Sequence, residues 1–397
     1  MTQPTRKKLL IVGDFACATG FARATESLAA QLRERWSIGV LAINYRGDPT
    51  PLQLAYRLYP AFLGGDMFGV GRIASTVAYE RPDAILIVQD AWNIARYVDA
   101  LAEAKAAGLE LPPIVAYVPV DARGLRPIDV EPLNACAHVA AYTKFGRAEL
   151  RAAGLATPCA VIPHGIDLDV FRPIPQAEAR RVAGMDPETF AVLILDRNAP
   201  RKRLDVAFDA FARFAKDKPA SVKLVYHGNL RDVGWDIEHM AEDLGIAERL
   251  ILTTKDAHDE TWRGVRVADL PYIYSMCDVK LSTTSGEGWG LTTMEAMACG
   301  LPCIVPDYAA LGEWARPAAL LIGADVPMRH TEINTVGMVP DADLAAGMLE
   351  FLYSSAASRE SMRLLGRSLV AEPRFRWANI ARQFDRLLTA TTEITCD

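Results

Sequence analysis

A chain of 397 residues is too long for one ordinary hydrophobic core and divides more naturally into two domains of about 150–200 residues each. With 51% hydrophobic and 23% charged residues and no low-complexity tract, the composition excludes a disordered or fibrous protein. A net charge of −6 gives no global attraction to polyphosphate, so a nucleic-acid or membrane partner would need a local basic patch.

The basic opening MTQPTRKK precedes an apolar run too short for a signal peptide. No stretch reaches the roughly 18 apolar residues of a membrane span, so no transmembrane segment is expected and the cytoplasm is the expected compartment. Cys17, Cys136, Cys159, Cys277, Cys299, Cys303 and Cys396 are odd in number and scattered, which signals neither a disulfide framework nor a zinc site.

In chain order, residues 8–13 (KLLIVG) read as a buried parallel strand, and the loop 14–20 leads into an amphipathic helix over 22–34. Apolar runs at 38–43, 84–88, 114–118, 139–142 and 159–162 alternate with helical patterns such as 98–107. After a linker at 173–177 the alternation restarts: strands at 190–196, 222–228, 249–254, 279–282, 302–305 and 319–322, with helices at 204–214, 237–244 and 291–298 between them. This predicts an α/β protein of two Rossmann-like doubly wound domains facing across a cleft, with ligands where loops leave the C-terminal strand ends. The expected boundaries are 1–172 for an N-terminal Rossmann-like domain and 173–374 for a C-terminal one. A final helical segment, 375–397, is expected to pack back on the first domain.

The most informative stretch is residues 286–302, GEGWGLTTMEAMACGLP. A glycine-rich loop runs into a helix start, where unsatisfied N–H groups and the positive end of the helix dipole make an anion site. Gly290, Leu291 and Thr292 are its phosphate-facing residues. Glu287 and Glu295 bracket the loop; a carboxylate accepts hydrogen bonds from a vicinal diol, so one can read a sugar and the other a ribose on either side of a diphosphate. The bland alternative is a solvated loop acid followed by a helix-favouring glutamate.

This stretch resembles the E-x7-E signature of the family 4 retaining glycosyltransferases, which have the glycosyltransferase B fold. The resemblance implies that Glu287 contacts the donor sugar, that Glu295 contacts the ribose, and that the amides of Gly290 to Thr292 hold phosphate. The family also places an Arg and, five residues later, a Lys on the diphosphate, and Arg197 and Lys202 fit that spacing. A forked guanidinium with an ammonium would neutralise the leaving group, whereas Arg201 and Arg203 read as solvated members of a basic loop. The runs 141–146 and 161–167, followed by Phe171-Arg172-Pro173, resemble the family's approach to the interdomain hinge. There His164 is either a donor contact or an ordinary structural histidine.

Gly20 corresponds to the glycine that approaches the donor diphosphate in the family, although Thr19-Gly20-Phe21 stands where relatives often carry Gly-Gly. Many relatives have a catalytic-corner histidine where this chain reads Val118-Pro119-Val120-Asp121. Asp121 is then the nearest ionisable candidate; it orients the acceptor, binds the sugar or caps a turn. Asp90 and Trp92 follow another strand end and either line the acceptor side or pack ordinarily.

The activity implied is transfer of a sugar, with retention and without metal, from a nucleotide-diphospho-sugar (UDP-sugar or GDP-sugar) that serves as co-substrate; no cofactor is expected. The acceptor is a small molecule, a glycoside or a hydroxymethylated base in DNA. The last comes from a faint resemblance of residues 13–23 to phage enzymes, with Arg123 and Arg126 as the basic residues that would serve it. The competing readings are a sugar-nucleotide epimerase or hydrolase, and a non-catalytic sugar-nucleotide-binding protein. Asp167/Asp169 and Asp341/Asp343 resemble a metal-binding DxD only in letters.

Overall fold

The computed structural model describes residues 6–62, 65–230, 232–253, 265–330 and 333–394, so Thr254, the last residue of one expected strand, and Cys396 lie outside the described residues. The chain forms two compact units, one of residues up to Val120, Gly124–Gly165 and Arg374 onward, the other of Asp121–Arg123 and Ile166–Pro373. The crossing at Gly165 lies earlier than the 172/173 boundary read from the sequence. Phe171 explains this, because it is buried with its ring 6.5 Å from that of Tyr274, in the second unit.

Seven strands build the first sheet: β1 (Lys8–Asp14), β2 (Ser37–Ile43), β3 (Arg57–Pro60), β4 (Ala84–Val88), β5 (Ile114–Val118), β6 (His138–Ala141) and β7 (Cys159–Val161). They are parallel throughout, in the order β3-β2-β1-β4-β5-β6-β7. The near-continuous apolar runs of β1, β4 and β5 are what a sheet covered on both faces requires. The order reverses at the β1/β4 pair, where Leu9 aligns with Ala84 and Gly13 with Val88, so the loops at Asp14 and Gln89 leave side by side. The helix Trp377–Ile394 belongs to this unit. It buries Ile380, Phe384 and Leu388, while its Asp385 accepts from Trp36 Nε1 at 2.9 Å and pairs with Arg35 at 2.8 Å.

The second sheet repeats the plan with β8 (Phe190–Leu195), β9 (Val222–His227), β10 (Leu250–Leu252), β11 (Val279–Leu281), β12 (Cys303–Pro306) and β13 (Ala319–Ile322). Its parallel order is β10-β9-β8-β11-β12-β13, so it too reverses beside its first strand. An antiparallel ribbon, β14 (Val326–Arg329) with β15 (Val336–Val339), completes the unit. Neither β3 nor this ribbon was legible as a strand. β3 is a four-residue, half-exposed edge ending on Pro60, and Val326 of the ribbon is exposed, so neither shows a buried apolar run. Among the described residues no helix is long and apolar enough to cross a membrane.

On β11 one side chain departs from the apolar pattern. Lys280 on β11 is fully buried, aligned with Cys303 and Leu193, and its Nζ meets no hydrogen-bond partner. An amine shut away from water without a partner costs about 1–3 kcal/mol on mutational scales. Lys280→Met keeps the chain length and removes that cost, so it is expected to raise stability by about that amount in urea unfolding. A lower midpoint in the variant would show that the amine stabilises the core.

Candidate active site

Of the residues singled out from the sequence, Lys202 meets Glu287 directly and Asp121 joins them through Arg201, whereas Arg197 stands apart. After β8 the chain makes a single 3-10 turn, Pro200–Lys202, and ends it at Arg203 with φ 50°, in the left-handed region. Asn198 pins the loop from beneath: its side chain donates to Trp235 O at 2.7 Å and accepts from Trp235 N at 2.8 Å. The turn carries the adjacent side chains of Arg201 and Lys202 to one carboxylate. Lys202 Nζ lies 2.5 Å from Glu287 Oε1 and 2.8 Å from Asp196 Oδ1, and Arg201 Nη1 lies 3.4 Å from Glu287 Oε1. Arg201 also pairs with Asp121 through Nε at 3.2 Å and donates to Gly286 O.

The sequence reading of Arg201 as a solvated loop residue is therefore corrected; it joins Asp121 to Glu287. Asp196 was missed too, because its letter carries no signal until the turn brings Lys202 back to it. Arg197 is instead exposed and held in a two-bond fork by Asp232, at 2.7 and 3.0 Å.

Charge balance explains the protonation states. Burial works against the Glu287 carboxylate, but Lys202 and Arg201 beside it overcome that and hold its pKa below the ordinary carboxylate range. Burial likewise opposes the Lys202 ammonium, and the Asp196 and Glu287 carboxylates reverse the effect and raise its pKa. The pair is thus fixed as ammonium and carboxylate.

The loop 286–290 is held from both sides. An ideal Cβ on Gly286 would stand 1.9 Å from Asp121 O, so only glycine lets the 121–123 strip pass; that strip is itself bridged to the ribbon, Arg123 N to Val336 O at 3.0 Å and Val336 N to Arg123 O at 2.8 Å. On the other side Trp289 stacks on Trp314 with centroids 5.2 Å apart, and Trp314 Nε1 donates to Trp289 O at 2.7 Å. Gly290 then takes φ 87° and starts the helix Leu291–Ala298, where Leu291 and Thr292 are partly exposed at its N-terminus. Glu295, one turn further on, is buried and accepts from Tyr274 Oη at 2.7 Å.

The remaining candidates lie in the first unit. Gly20 opens the helix Gly20–Leu32, and its N-cap Thr19 accepts from Ala22 N and donates to Asp14 Oδ2 at 2.7 Å. Asp14 also accepts from Asn44 at 3.0 Å and Gln89 at 2.8 Å, binding three strand ends together; burial raises its pKa despite those bonds. Asp90 precedes the helix Ala91–Ala106, and Trp92 meets the Phe68 ring edge-on at 5.5 Å. His164 is 3% exposed, among the rings of Tyr117, Tyr142 and Trp377.

Burial pushes the His164 imidazole down to about 3 from 6.5, so it folds neutral. Its contribution to stability is complete above pH 6.5 and is lost as pH falls toward about 3, since in that window only the unfolded chain takes up the proton. The slope of unfolding free energy over that window should drop by about one proton's worth, about 1.4 kcal/mol per pH unit, in His164→Phe. An unchanged slope in urea melts at several pH values would show that the ring is protonated inside the fold.

Residues 175–324 match the model of the family described as Glycosyl transferases group 1. The matched stretch lies within the second unit. Curated proteins similar to the chain include a D-inositol 3-phosphate glycosyltransferase of Segniliparus rotundus, 29% identical over 221 residues that cover 55% of this chain and 43% of the relative. A protein of the same name from Mycolicibacterium gilvum is 31% identical over 192 residues, 46% of this chain and 39% of its own length. The chain thus spans about two fifths of the length of these relatives.

Among solved structures, sucrose-phosphate synthase from Thermosynechococcus elongatus superposes with a TM-score of 0.76 at 17% identity, covering 97% of this chain and 99% of that one. HepE from Anabaena, in complex with UDP and glucose, gives 0.72 at 18% identity, covering 97% and 100%. The two parallel-sheet units are those of the glycosyltransferase B fold.

Proposed function

We propose that the chain transfers a sugar from a nucleotide-diphospho-sugar to a hydroxyl acceptor, with retention and without a metal ion. The observation that carries this reading is the Lys202–Glu287 pair, joined by Arg201, at the foot of a glycine loop that opens a helix within the matched stretch. In this reading Glu287 accepts from the donor sugar hydroxyls and Glu295 from the ribose. Lys202, with Arg197, Arg201 and the amides of Gly290 to Thr292, takes the charge of the diphosphate. The bond from the anomeric carbon to the phosphate oxygen breaks as the bond to the acceptor oxygen forms on the same face. The acceptor's proton passes to the departing phosphate oxygen, and a nucleoside diphosphate leaves.

Gly20 and His164 belong to the donor side in this proposal, Asp121 orients the reacting groups, and Asp90 with Trp92 lines the acceptor side. A UDP-sugar is the favoured donor, supported by the UDP complex of HepE. A small polyol phosphate is the favoured acceptor, supported by the names of the curated relatives. The cytoplasm is the proposed site of action.

Nucleotide release measured across UDP-, GDP- and ADP-sugars tests the reading, with no acceptor, inositol phosphate, simple glycosides and hydroxymethylated DNA as separate arms. Release stimulated by one acceptor, with a glycosylated product in the mass spectrum, is expected. Equal release without acceptor would replace transfer by hydrolysis or epimerisation, and binding without release would leave a sugar-nucleotide-binding protein.

A further inference from the structure

At the far end of the Glu295 helix from its glycine loop, the second unit has a half-open cavity of about 170 Å³. Its wall includes Arg363 and Arg367, Glu360, Ser275, Tyr274 and Gly300. The two arginines sit four residues apart on the helix Ala356–Val370, on one face and one turn from each other, where like charges repel. No ion pair to either guanidinium is found among the described residues; Arg363 is partly buried, its Nε fully so and without a hydrogen-bond partner, whereas Arg367 is exposed. Glu360, on the same helix, also lines the cavity. Gly300, at φ 76°, borders the cavity, where a Cβ would meet Arg367 Cδ at 3.5 Å, an ordinary van der Waals contact.

We infer that this cavity is a second ligand site, for a phosphate group carried by a small phosphomonoester or present as free phosphate. Paired guanidiniums match phosphate oxygens bidentately, and an anion between them removes both the mutual repulsion and the orphaned donor. A volume below the few hundred Å³ of sites for larger ligands restricts the occupant to a small one. The Ser275 hydroxyl and the Glu360 carboxylate supply partners for an ester's hydroxyl groups.

The site also adjoins the donor machinery. Tyr274 lines the cavity while its hydroxyl donates to Glu295 Oε2 at 2.7 Å, and Gly300 follows the helix that carries Glu295. An occupant therefore shifts the affinity for the nucleotide, and the nucleotide shifts the occupant's affinity by the same factor. This coupling, unlike the binding itself, rests on the donor role proposed for Glu295.

Calorimetric titration of the full chain with inorganic phosphate and with glycerol 3-phosphate tests the inference. Saturable binding is expected in the wild type and in Lys202→Ala, and about 10–100-fold weaker binding in Arg363→Gln/Arg367→Gln. Glu360→Gln is expected to tighten binding, a gain that misfolding cannot produce. Tighter binding of the ester than of phosphate identifies a metabolite as the natural occupant, and equal binding identifies free phosphate. No saturable binding in the wild type overturns the site, as does binding lost in Lys202→Ala and kept in the double arginine variant, which would place the phosphate on the donor loop. UDP titrations with and without glycerol 3-phosphate then read the coupling. Unchanged UDP affinity overturns the coupling, whereas failure of UDP to bind at all counts against the donor reading and leaves the phosphate result standing.

Discussion

Lys202→Met is expected to lower kcat by about 100–1,000-fold at saturating donor, the range found when one preorganised donor to a developing negative charge is removed. Methionine keeps the bulk of the side chain and deletes the ammonium that lies 2.8 Å from Asp196 and 2.5 Å from Glu287. Both carboxylates are nearly enclosed, with side-chain exposures of 3% and 11%, so the variant also leaves two buried acids facing each other. Breaking a buried pair in this way costs about 3–5 kcal/mol of stability, and turnover must be measured where the variant is fully folded.

A pH profile separates the chemical role from the structural one. Burial alone would raise the Glu287 carboxyl, and Lys202 is foremost among the groups that hold it down. Its stabilising contribution is present above the unfolded carboxyl range and is lost as pH falls through its depressed folded value. With Lys202 gone, the acidic limb of both activity and stability moves to higher pH. Normal kcat in a folded variant would remove Lys202 from the leaving-group role.

Gly286→Ala is expected to abolish most activity while the second unit stays folded. The added methyl would stand 1.9 Å from a backbone carbonyl, that of Asp121, which no side-chain rotation can relieve. The loop must retreat, taking with it Arg201's hold on Gly286 O and the position of Glu287. Overpacking of this kind costs about 1–3 kcal/mol, and a displacement of about 1 Å at a reacting group costs about 100-fold in rate. Gly347→Ala, on the helix Ala342–Ser354 where an added methyl meets nothing within 4 Å, is the control. Comparable activity in the two variants would show that the 121–123 strip does not set the loop's position.

The sheets were legible because strands buried on both faces must be written as apolar runs, and β1, β4, β5, β8 and β9 carry such runs. The 286–295 segment was legible because its glycines and acids lie close in sequence. Arg201 was not: its role depends on Asp121, 80 positions away, and on a one-turn 3-10 helix that sequence spacing does not specify. Nor was Trp314, whose hydrogen bond to Trp289 O joins a helix to a loop 25 positions earlier. Asp14 failed for a different reason, since its importance comes from Asn44 and Gln89 converging on it from two neighbouring strands. Local chemistry could be read; convergence of distant segments could not.

The helix Trp377–Ile394 belongs to the first unit, whereas 166–373 form the body of the second, so the second unit is an insertion within the first. On a ribosome the first unit therefore begins earlier but finishes later. At about 5–20 residues per second, some 10–40 s separate its strand β7 from the helix that completes it. Through that interval the face of the helix Gly20–Leu32 that the final helix will cover remains open, and Trp36 and Arg35 lack their Asp385 partner, while the inserted unit has its whole sequence available. Synthesis thus exposes an incomplete first unit as the stage at which a chaperone is most needed.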